Sequence, residues 1–202
     1  MRRVIDILVS VAILLLFSPI LAVVALAVFL ESPGNPFYGG RRIGKDGKPF
    51  RMWKFRTMIK NASQLGASIT GKKDPRITRL GAVLRKTKLD ELPQFFNVLL
   101  GDMTLVGPRP ESPDIVELYT PGQRVVLTVK PGVTGRVQLD SGEESESLPE
   151  GVQAREYYVN HLMHEKLQRD LEYLRRRTPL SDAQIVFETA TYVFRACLRR
   201  AA

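Results

Sequence analysis

The stretch VIDILVSVAILLLFSPILAVVALAVFL, residues 4–30, decides how the rest of this chain is organised. Its only clearly polar side chains are Asp6, Ser10 and Ser18, so it is too apolar for an ordinary surface helix. About 27 helical residues at ~1.5 Å each extend roughly 40 Å, which is enough to cross a bilayer. The predicted division is therefore an apolar membrane segment at 1–35 and a soluble domain at 36–202.

Ser18 and Pro19 interrupt the apolar segment near its middle. A proline inside a helix removes a backbone donor and clashes with the preceding turn, which predicts a kink. Arg2 and Arg3 precede the segment, and further cations follow it from Arg41 onward. A helix that enters and returns through one leaflet would place both basic flanks on the cytoplasmic side. A spanning helix and a re-entrant one fit equally, whereas removal as a signal peptide is disfavoured because the apolar run is too long.

The composition favours anionic partners. The 202 residues include 30 Lys and Arg against 21 Asp and Glu, a formal charge of +9. This excess favours phosphates, nucleic acid or lipid head groups, and the apolar segment favours the membrane among them. The one cysteine, Cys197, cannot form an internal disulfide, in agreement with a reducing compartment. The sequence has no P-loop and no recognised nucleic-acid-binding motif, and a metal site built on His161 and His164 alone is disfavoured.

The soluble part of the sequence predicts short elements of both types. Turn signals at Gly39-Gly40 and at 46–47 predict a tight hairpin-like excursion, and the alternation of FRMWKFR at 50–56 predicts a strand. Residues 80–100 predict a helix interrupted near its proline. The capping-box sequence SDAQ at 181–184 predicts the start of a last amphipathic helix, which packs on the core or lies on a membrane. The predicted fold class is α/β, compact and mainly helical, with a short β element.

The sequence RKTKLDELP, residues 85–93, carries the candidate chemistry. Asp90 and Glu91 precede a predicted helix start, where carboxylates favour a helix through capping and the dipole; the segment alone favours that explanation. Alternatively, one carboxylate attacks phosphorus while Mg²⁺ or fixed cations neutralise the electrophile. Arg85 and Arg109 can supply such cations, and Arg109 lies between two prolines that fix the neighbouring backbone.

Several motifs in a fixed order resemble those of the bacterial sugar transferases, or monotopic phosphoglycosyl transferases. After the Ser-Pro break they are KFRTM at 54–58, LDELPQ at 89–94, NVL at 97–99, GDM at 101–103, VGPRP at 106–110 and PGVTG at 131–135. Each motif is weak alone, but together they extend over nearly the entire chain. The resemblance implies a re-entrant helix broken at Ser18-Pro19, a catalytic domain with amphipathic interfacial helices, and a monotopic location on the cytoplasmic face of the bacterial inner membrane.

The resemblance also implies the reaction. The Asp of the Asp-Glu pair is the nucleophile in this family, so Asp90 would attack the β-phosphate of a UDP-sugar and release UMP, with Glu91 as its partner. Undecaprenyl or another polyprenyl phosphate would then accept the phosphosugar, as the first membrane step of O-antigen, capsule, exopolysaccharide or glycoprotein glycan assembly. Mg²⁺ is the implied cofactor, with Asp90 as its contact. Inner-membrane lipids are implied partners, nucleic acid is not, and the resemblance also allows a homodimer.

Substrate-binding residues are carried over by motif position. They are Lys54, Arg56, Arg85, Arg109, Thr134, Arg136 and Gln138. The stretch RVQLDSG at 136–142 keeps the glutamine but lacks a Gly-Arg pairing that family members often have, so the donor sugar stays open. The short length indicates the catalytic core without the extra spanning helices of larger relatives. Two other classes of function stay open, a non-catalytic basic membrane protein and a nucleic-acid-binding protein.

Overall fold

Helices form most of the regular structure, and the computed structural model describes residues 2–62, 65, 74–141 and 153–198. The helices are α1 (Arg2–Leu16), α2 (Ser18–Glu31), α3 (Arg79–Thr87), α4 (Gln94–Leu100), α5 (Pro113–Val116), α6 (Arg136–Ser141), α7 (Ala154–Tyr157), α8 (Met163–Arg176) and α9 (Pro179–Leu198). The strands are β1 (Phe37–Ile43), β2 (Pro49–Phe55), β3 (Thr104–Val106) and β4 (Gly132–Thr134). The prediction of a mainly helical α/β chain with short β elements is confirmed.

The apolar segment forms two helices, α1 and α2, with a bend of 63° between them. The Ser18 hydroxyl donates to the Leu15 carbonyl oxygen at 2.8 Å, and Pro19 lies in the first turn of α2, where a missing N–H is tolerated. The predicted break is confirmed, and it lies at Phe17, directly before the Ser-Pro pair. Among the described residues no single helix is long and apolar enough to cross a membrane, while this bent pair meets that test jointly, by length and composition.

Polar side chains of α1 attach this helix to the rest of the domain. Arg3 donates to carbonyl oxygens at the C-terminal end of α4. The Asp6 carboxylate accepts hydrogen bonds from the Thr104 hydroxyl at 2.8 Å and from the Leu105 backbone N–H at 3.2 Å. The polar face of α1 therefore contacts the protein, and apolar side chains such as Leu8 remain exposed.

The described strands form two separate pairs, β1 with β2 antiparallel and β3 with β4 parallel. The hairpin prediction is confirmed, but Gly39 lies inside β1 rather than in the turn. It is paired with Trp53, and a Cβ on Gly39 would lie 3.1 Å from the Trp53 ring, so the ring covers the space above the glycine. The turn itself contains Asp46 and Gly47, both with positive φ.

The start of α9 differs from the prediction. The predicted capping box opened the helix at Ser181, but α9 begins at Pro179. The Ser181 N–H donates to the Thr178 hydroxyl at 3.1 Å, and the Thr178 N–H donates to the Ser181 hydroxyl at 3.0 Å. Proline is pre-organised for the first helical position, so Thr178 caps the helix. Asp182 instead accepts hydrogen bonds from Arg177, at 2.9 Å to its nearer oxygen.

Apolar packing holds the turn at Leu89–Glu91, which separates α3 from α4. Val24 and Val28 of α2 pack with Phe55 of β2 and Leu84 of α3. The side chain of Leu89, the first residue of the turn, packs against this cluster. The helix pair, the hairpin and the turn thus share one cluster. The bent helix pair is therefore part of the structure that positions the turn.

Candidate active site

Asp90 and Glu91 lie on the 3₁₀ turn between α3 and α4. Lys88 ends α3 in the left-handed conformation, with φ of 59°, and this reverses the chain before the turn. Within the described part of the chain, no side-chain hydrogen bond caps this turn or the start of α4 at Pro93. The interpretation of the Asp-Glu pair as helix caps is therefore wrong, and both side chains are available for other contacts.

A buried asparagine fixes β2 against α4. Asn97 accepts a hydrogen bond from the Trp53 N–H at 2.9 Å and donates to the Arg51 carbonyl oxygen at 2.7 Å. These bonds satisfy backbone groups of β2 that would otherwise be buried without partners. Lys54 follows Trp53 in the strand, so the same bonds hold its backbone beside the turn.

The Glu91 carboxylate bridges two cations from distant segments. Its Oε1 lies 3.1 Å from Lys54 Nζ and 3.0 Å from Arg109 Nη2. Burial alone would raise the pKa of Glu91, but the charges of Arg109 and Lys54 outweigh burial and hold that pKa well below its ordinary value. Burial lowers the pKa of Lys54, and the charge of Glu91 opposes this change. Glu91 is thus ionised near neutral pH and holds both cations in place.

Asp90 is the more deeply buried of the two acids. The residue is 4% exposed, and its Oδ1 accepts no hydrogen bond from any residue that the structure describes. Burial raises the pKa of Asp90, the charge of Lys54 opposes this, and the charge of Glu91 adds to it. A buried carboxyl oxygen without a partner is destabilising. Such groups are typical of sites where a ligand binds or a reaction occurs.

Both carboxyl groups line one cavity of about 1180 Å³. Its volume exceeds that of a usual small-molecule pocket. Apolar side chains of α1, of the break after it and of α9 form part of its wall, and they include Val9, Ile13, Phe17, Val186 and Val193. Six of the predicted substrate-binding residues also line it, namely Lys54, Arg56, Arg85, Arg109, Thr134 and Gln138. The cavity therefore joins a cationic polar region to an apolar wall.

Besides Arg109, two more of the predicted arginines in this cavity have protein partners. Arg85 Nε donates to the Thr57 hydroxyl at 2.9 Å. Arg56 donates to the Ser32 carbonyl oxygen, just beyond the end of α2. Arg85 is thus positioned by the segment that follows β2, while Arg56, directly after β2, ties this segment to the helix pair.

The predicted residues near β4 have different positions. The Thr134 hydroxyl lies 2.7 Å from the Thr189 hydroxyl of α9. Gln138 Nε2 is buried and has no hydrogen-bond partner among the residues described. Arg136 is not among the described cavity-lining residues; it forms ion pairs with Asp140 and, at 2.8 Å, with Glu188. Its guanidinium therefore joins α6 to α9.

Sequence reasoning missed two acids that line the same cavity, Glu111 and Asp170. Glu111 directly follows the Pro-Arg-Pro motif, and this adjacency was the available signal. Asp170 is on α8, where an acid in an amphipathic pattern is typical of a solvated face. Only tertiary packing buries it, to 9% exposure.

Fixed cations around a buried carboxyl group are typical of enzymes that act on phosphate esters or anhydrides. Comparison with known proteins gives the family. The chain belongs to the bacterial sugar transferase family, whose family model matches residues 1–196. The resemblance seen in the sequence motifs is confirmed.

Individual relatives agree with this assignment. The UDP-glucose:undecaprenyl-phosphate glucose-1-phosphate transferase of Escherichia coli (strain K12) is 39% identical over 206 residues, with 100% of this chain and 41% of that protein covered. The UDP-N-acetylgalactosamine-undecaprenyl-phosphate N-acetylgalactosaminephosphotransferase of Aeromonas hydrophila is 37% identical over 191 residues, with 93% and 42% covered. The exopolysaccharide production protein ExoY of Rhizobium meliloti (strain 1021) is 35% identical over 214 residues, with 98% and 86% covered. The chain thus spans about two fifths of the length of the first two relatives.

Proposed function

We propose that this chain is a phosphoglycosyl transferase, which moves a sugar-1-phosphate from a UDP-sugar to undecaprenyl phosphate or another polyprenyl phosphate. The products are polyprenyl diphosphate-sugar and UMP, as the first membrane step of glycoconjugate assembly. The observation that carries the proposal is the buried Asp90 carboxyl, whose Oδ1 has no partner among the described residues and which feels the positive charges of Lys54, Lys88 and Arg85. The substrate classes are those in the names of the relatives.

In the first step, a carboxylate oxygen of Asp90 attacks the β-phosphorus of the UDP-sugar. The bond from this phosphorus to the bridging oxygen breaks, and UMP leaves with the electron pair. Lys54, Arg85 and Arg109 supply positive charge for the phosphoryl oxygens, where charge increases in the transition state. Glu91 holds Lys54 and Arg109 at their observed positions. The product is an aspartyl phosphosugar.

In the second step, a phosphate oxygen of the polyprenyl phosphate attacks the same phosphorus. The acyl-phosphate bond breaks and Asp90 is restored as a carboxylate, so the reaction is ping-pong. The apolar wall from α1 and α9 suits a substrate whose phosphate carries a long hydrocarbon chain. It includes Ile13 and Val193, in the same cavity as Asp90.

Mg²⁺ is the proposed cofactor, and Asp90 is the residue that would hold it. The fit rests on the unpartnered Oδ1, because Mg²⁺ binds oxygen ligands and commonly uses one or two carboxylates together with substrate phosphates. Among the described residues, no group of three or more His, Cys, Asp or Glu could hold a metal ion. When bound, the ion would neutralise negative charge on the phosphates. Asp90 has two carboxyl oxygens, so attack and metal contact need not compete.

We further propose that residues 1–35 enter and leave one leaflet of the bacterial inner membrane, with residues 36–202 on the cytoplasmic face. Several large apolar side chains of α1 and α2 are 59–74% exposed, among them Leu8, Leu15, Leu16, Val23, Leu26 and Leu30. On α9, Leu180, Phe187 and Phe194 are also exposed. Apolar surface of this extent is typical of a membrane contact. Lipids are thus proposed partners, and a homodimer stays a prediction.

The test is UMP release from a panel of UDP-sugars, with undecaprenyl phosphate and Mg²⁺ present. We expect release by the wild type and by Asp46→Asn, and none by Asp90→Asn. Asp46 is exposed on the hairpin turn, so this control makes the same chemical change away from the cavity. Release by Asp90→Asn at the wild-type rate contradicts the covalent step, and no release by the wild type from any donor contradicts the reaction.

A further inference from the structure

The cavity has a second polar region beyond the cations that face Asp90. Arg109 and Glu111 are two residues apart in a segment with proline at 108 and 110, and both line the cavity. Two residues of extended chain span at most about 7 Å, so the Cα atoms of Arg109 and Glu111 lie within that distance of each other. Asp170 of α8 lines the cavity there as well.

Glu111 is held rigidly in this region. Its backbone carbonyl oxygen accepts a hydrogen bond from the Ile43 N–H at 2.9 Å, and its side chain accepts one from the Tyr158 hydroxyl. Lys166 Nζ lies 5.2 Å from the centre of the Tyr158 ring. The position of the Glu111 carboxylate is therefore set by β1 and by the helical segment that leads into α8.

Asp170 is different, because it is buried and unpartnered. The residue is 9% exposed, and the contributions to the pKa of its carboxyl group are burial and nearby charges, with no hydrogen bond among them. Burial raises the pKa of Asp170 to about 7; Lys166 and Arg169 oppose this change, and Glu111 adds to it. An acid in this position is destabilising, and such positions are typical of ligand contacts. A ligand with hydroxyl groups would supply the missing hydrogen bonds.

We propose that Asp170, together with Glu111, binds vicinal hydroxyl groups of the nucleotide-sugar, either on the ribose or on the transferred pyranose. This inference rests on the proposed function for the identity of the ligand. Carboxylates are the usual acceptors for sugar hydroxyls, as in dinucleotide-binding folds, where an acid binds the ribose. Both sugars flank the diphosphate, so either one reaches the acids when Arg109 binds a phosphate. A polyprenyl chain does not fit this region, because it has no hydrogen-bond donors.

The experiment measures equilibrium binding by calorimetry to the full chain in detergent. The ligands are UMP, 2′-deoxy-UMP and the UDP-sugar that the wild type turns over, or UDP-glucose where it turns over none. Binding of the UDP-sugar is measured in the Asp90→Asn background, so that no reaction occurs. The variants are Asp170→Asn and, as the matched control, Asp114→Asn, whose side chain is 44% exposed and paired with Arg155 on the surface.

Two results support the proposal and identify the sugar. If the ribose is bound, the wild type prefers UMP over 2′-deoxy-UMP by roughly tenfold, and Asp170→Asn loses this preference. If the pyranose is bound, Asp170→Asn binds UMP normally but binds the UDP-sugar roughly tenfold more weakly. In both cases Asp114→Asn behaves as the wild type.

Three results overturn it. The first is unchanged binding of every ligand by Asp170→Asn. The second is equal weakening of UMP and 2′-deoxy-UMP with the wild-type preference kept, which indicates a structural role. The third is absence of UMP binding in the wild type together with absence of UDP-sugar binding in the Asp90→Asn background. Failure of the proposed reaction is separate from all three, because it is read from UMP release and not from binding.

Discussion

Asp6 and Asp90 are both buried aspartates, at 8% and 4% exposure, and they differ in what surrounds the carboxyl group. Asp6 accepts hydrogen bonds from Thr104 and Leu105, and these attach α1 to β3. Asp90 Oδ1 accepts none from the residues described. A buried charge stabilises a fold only when hydrogen bonds compensate for its removal from water. The comparison separates an acid that anchors a helix from one that is free to react.

The largest expected effect is that of Asp90→Asn. We expect kcat to fall by roughly 10⁴-fold or more, because the nucleophile is lost. We also expect the free energy of unfolding to stay equal or to rise, because a neutral amide replaces a carboxyl group that burial destabilises. Denaturant unfolding followed through the single tryptophan, Trp53, measures the second quantity. A loss of stability would show that Asp90 stabilises the fold, as Asp6 does. The proposed difference between the two aspartates would then be wrong.

Asp170→Asn extends the comparison to pH. Burial raises the pKa of Asp170 to about 7, so the folded protein binds this proton more tightly than the unfolded chain does. Stability of the wild type therefore decreases as the pH rises from about 4 to 7, and the variant lacks this decrease. Between pH 5 and pH 8 we expect Asp170→Asn to gain about 3 kcal/mol relative to the wild type.

The measurement is the free energy of unfolding at a series of pH values, with Asp114→Asn as the control. The Asp114 side chain is about half exposed and forms an ion pair, so its removal leaves the difference from the wild type constant over this range. A constant difference for Asp170→Asn as well would show that Asp170 is not a buried, proton-binding acid.

The smallest of the three effects is that of Asp6→Ala. It removes the acceptor for the Thr104 hydroxyl and the Leu105 N–H, so we expect a loss of about 2 kcal/mol in the free energy of unfolding. Asp6→Asn keeps an acceptor oxygen, and it should lose about half as much. Both variants are expected to keep the wild-type KM for the UDP-sugar where the protein remains folded. Equal stability of all three proteins would show that Asp6 does not anchor α1.

Local signals predicted the features that depend on few residues. The break at Ser18-Pro19 follows from the proline ring, and the strand at 50–56 follows from alternation, so both were visible in the sequence. The start of α9 was misplaced because Ser181 precedes a plausible capping pattern, whereas Thr178 followed by a proline is the stronger start. The Gly39-Gly40 pair is typical of a turn, but Gly39 lies inside β1. A glycine is needed there because the Trp53 ring approaches its backbone closely.

The site was predictable only where its chemistry follows a motif. Asp90, Glu91 and Arg109 belong to contiguous motifs, but nothing in the sequence shows that Glu91 bridges two cations while Asp90 is unpaired. That difference comes from the direction of each side chain on the turn. The burial of Asp170 could not be predicted for a similar reason, because it depends on elements that are distant in the chain.

The contact between Asp6 and Thr104 joins residues separated by 98 positions in the chain. At a synthesis rate of about 5–20 residues per second, Asp6 is synthesised roughly 5 to 20 seconds before Thr104. Its carboxylate must stay hydrated, or bind something else, for that time. Final docking of α1 is therefore a late event of folding, although this helix precedes its partner strand in the chain.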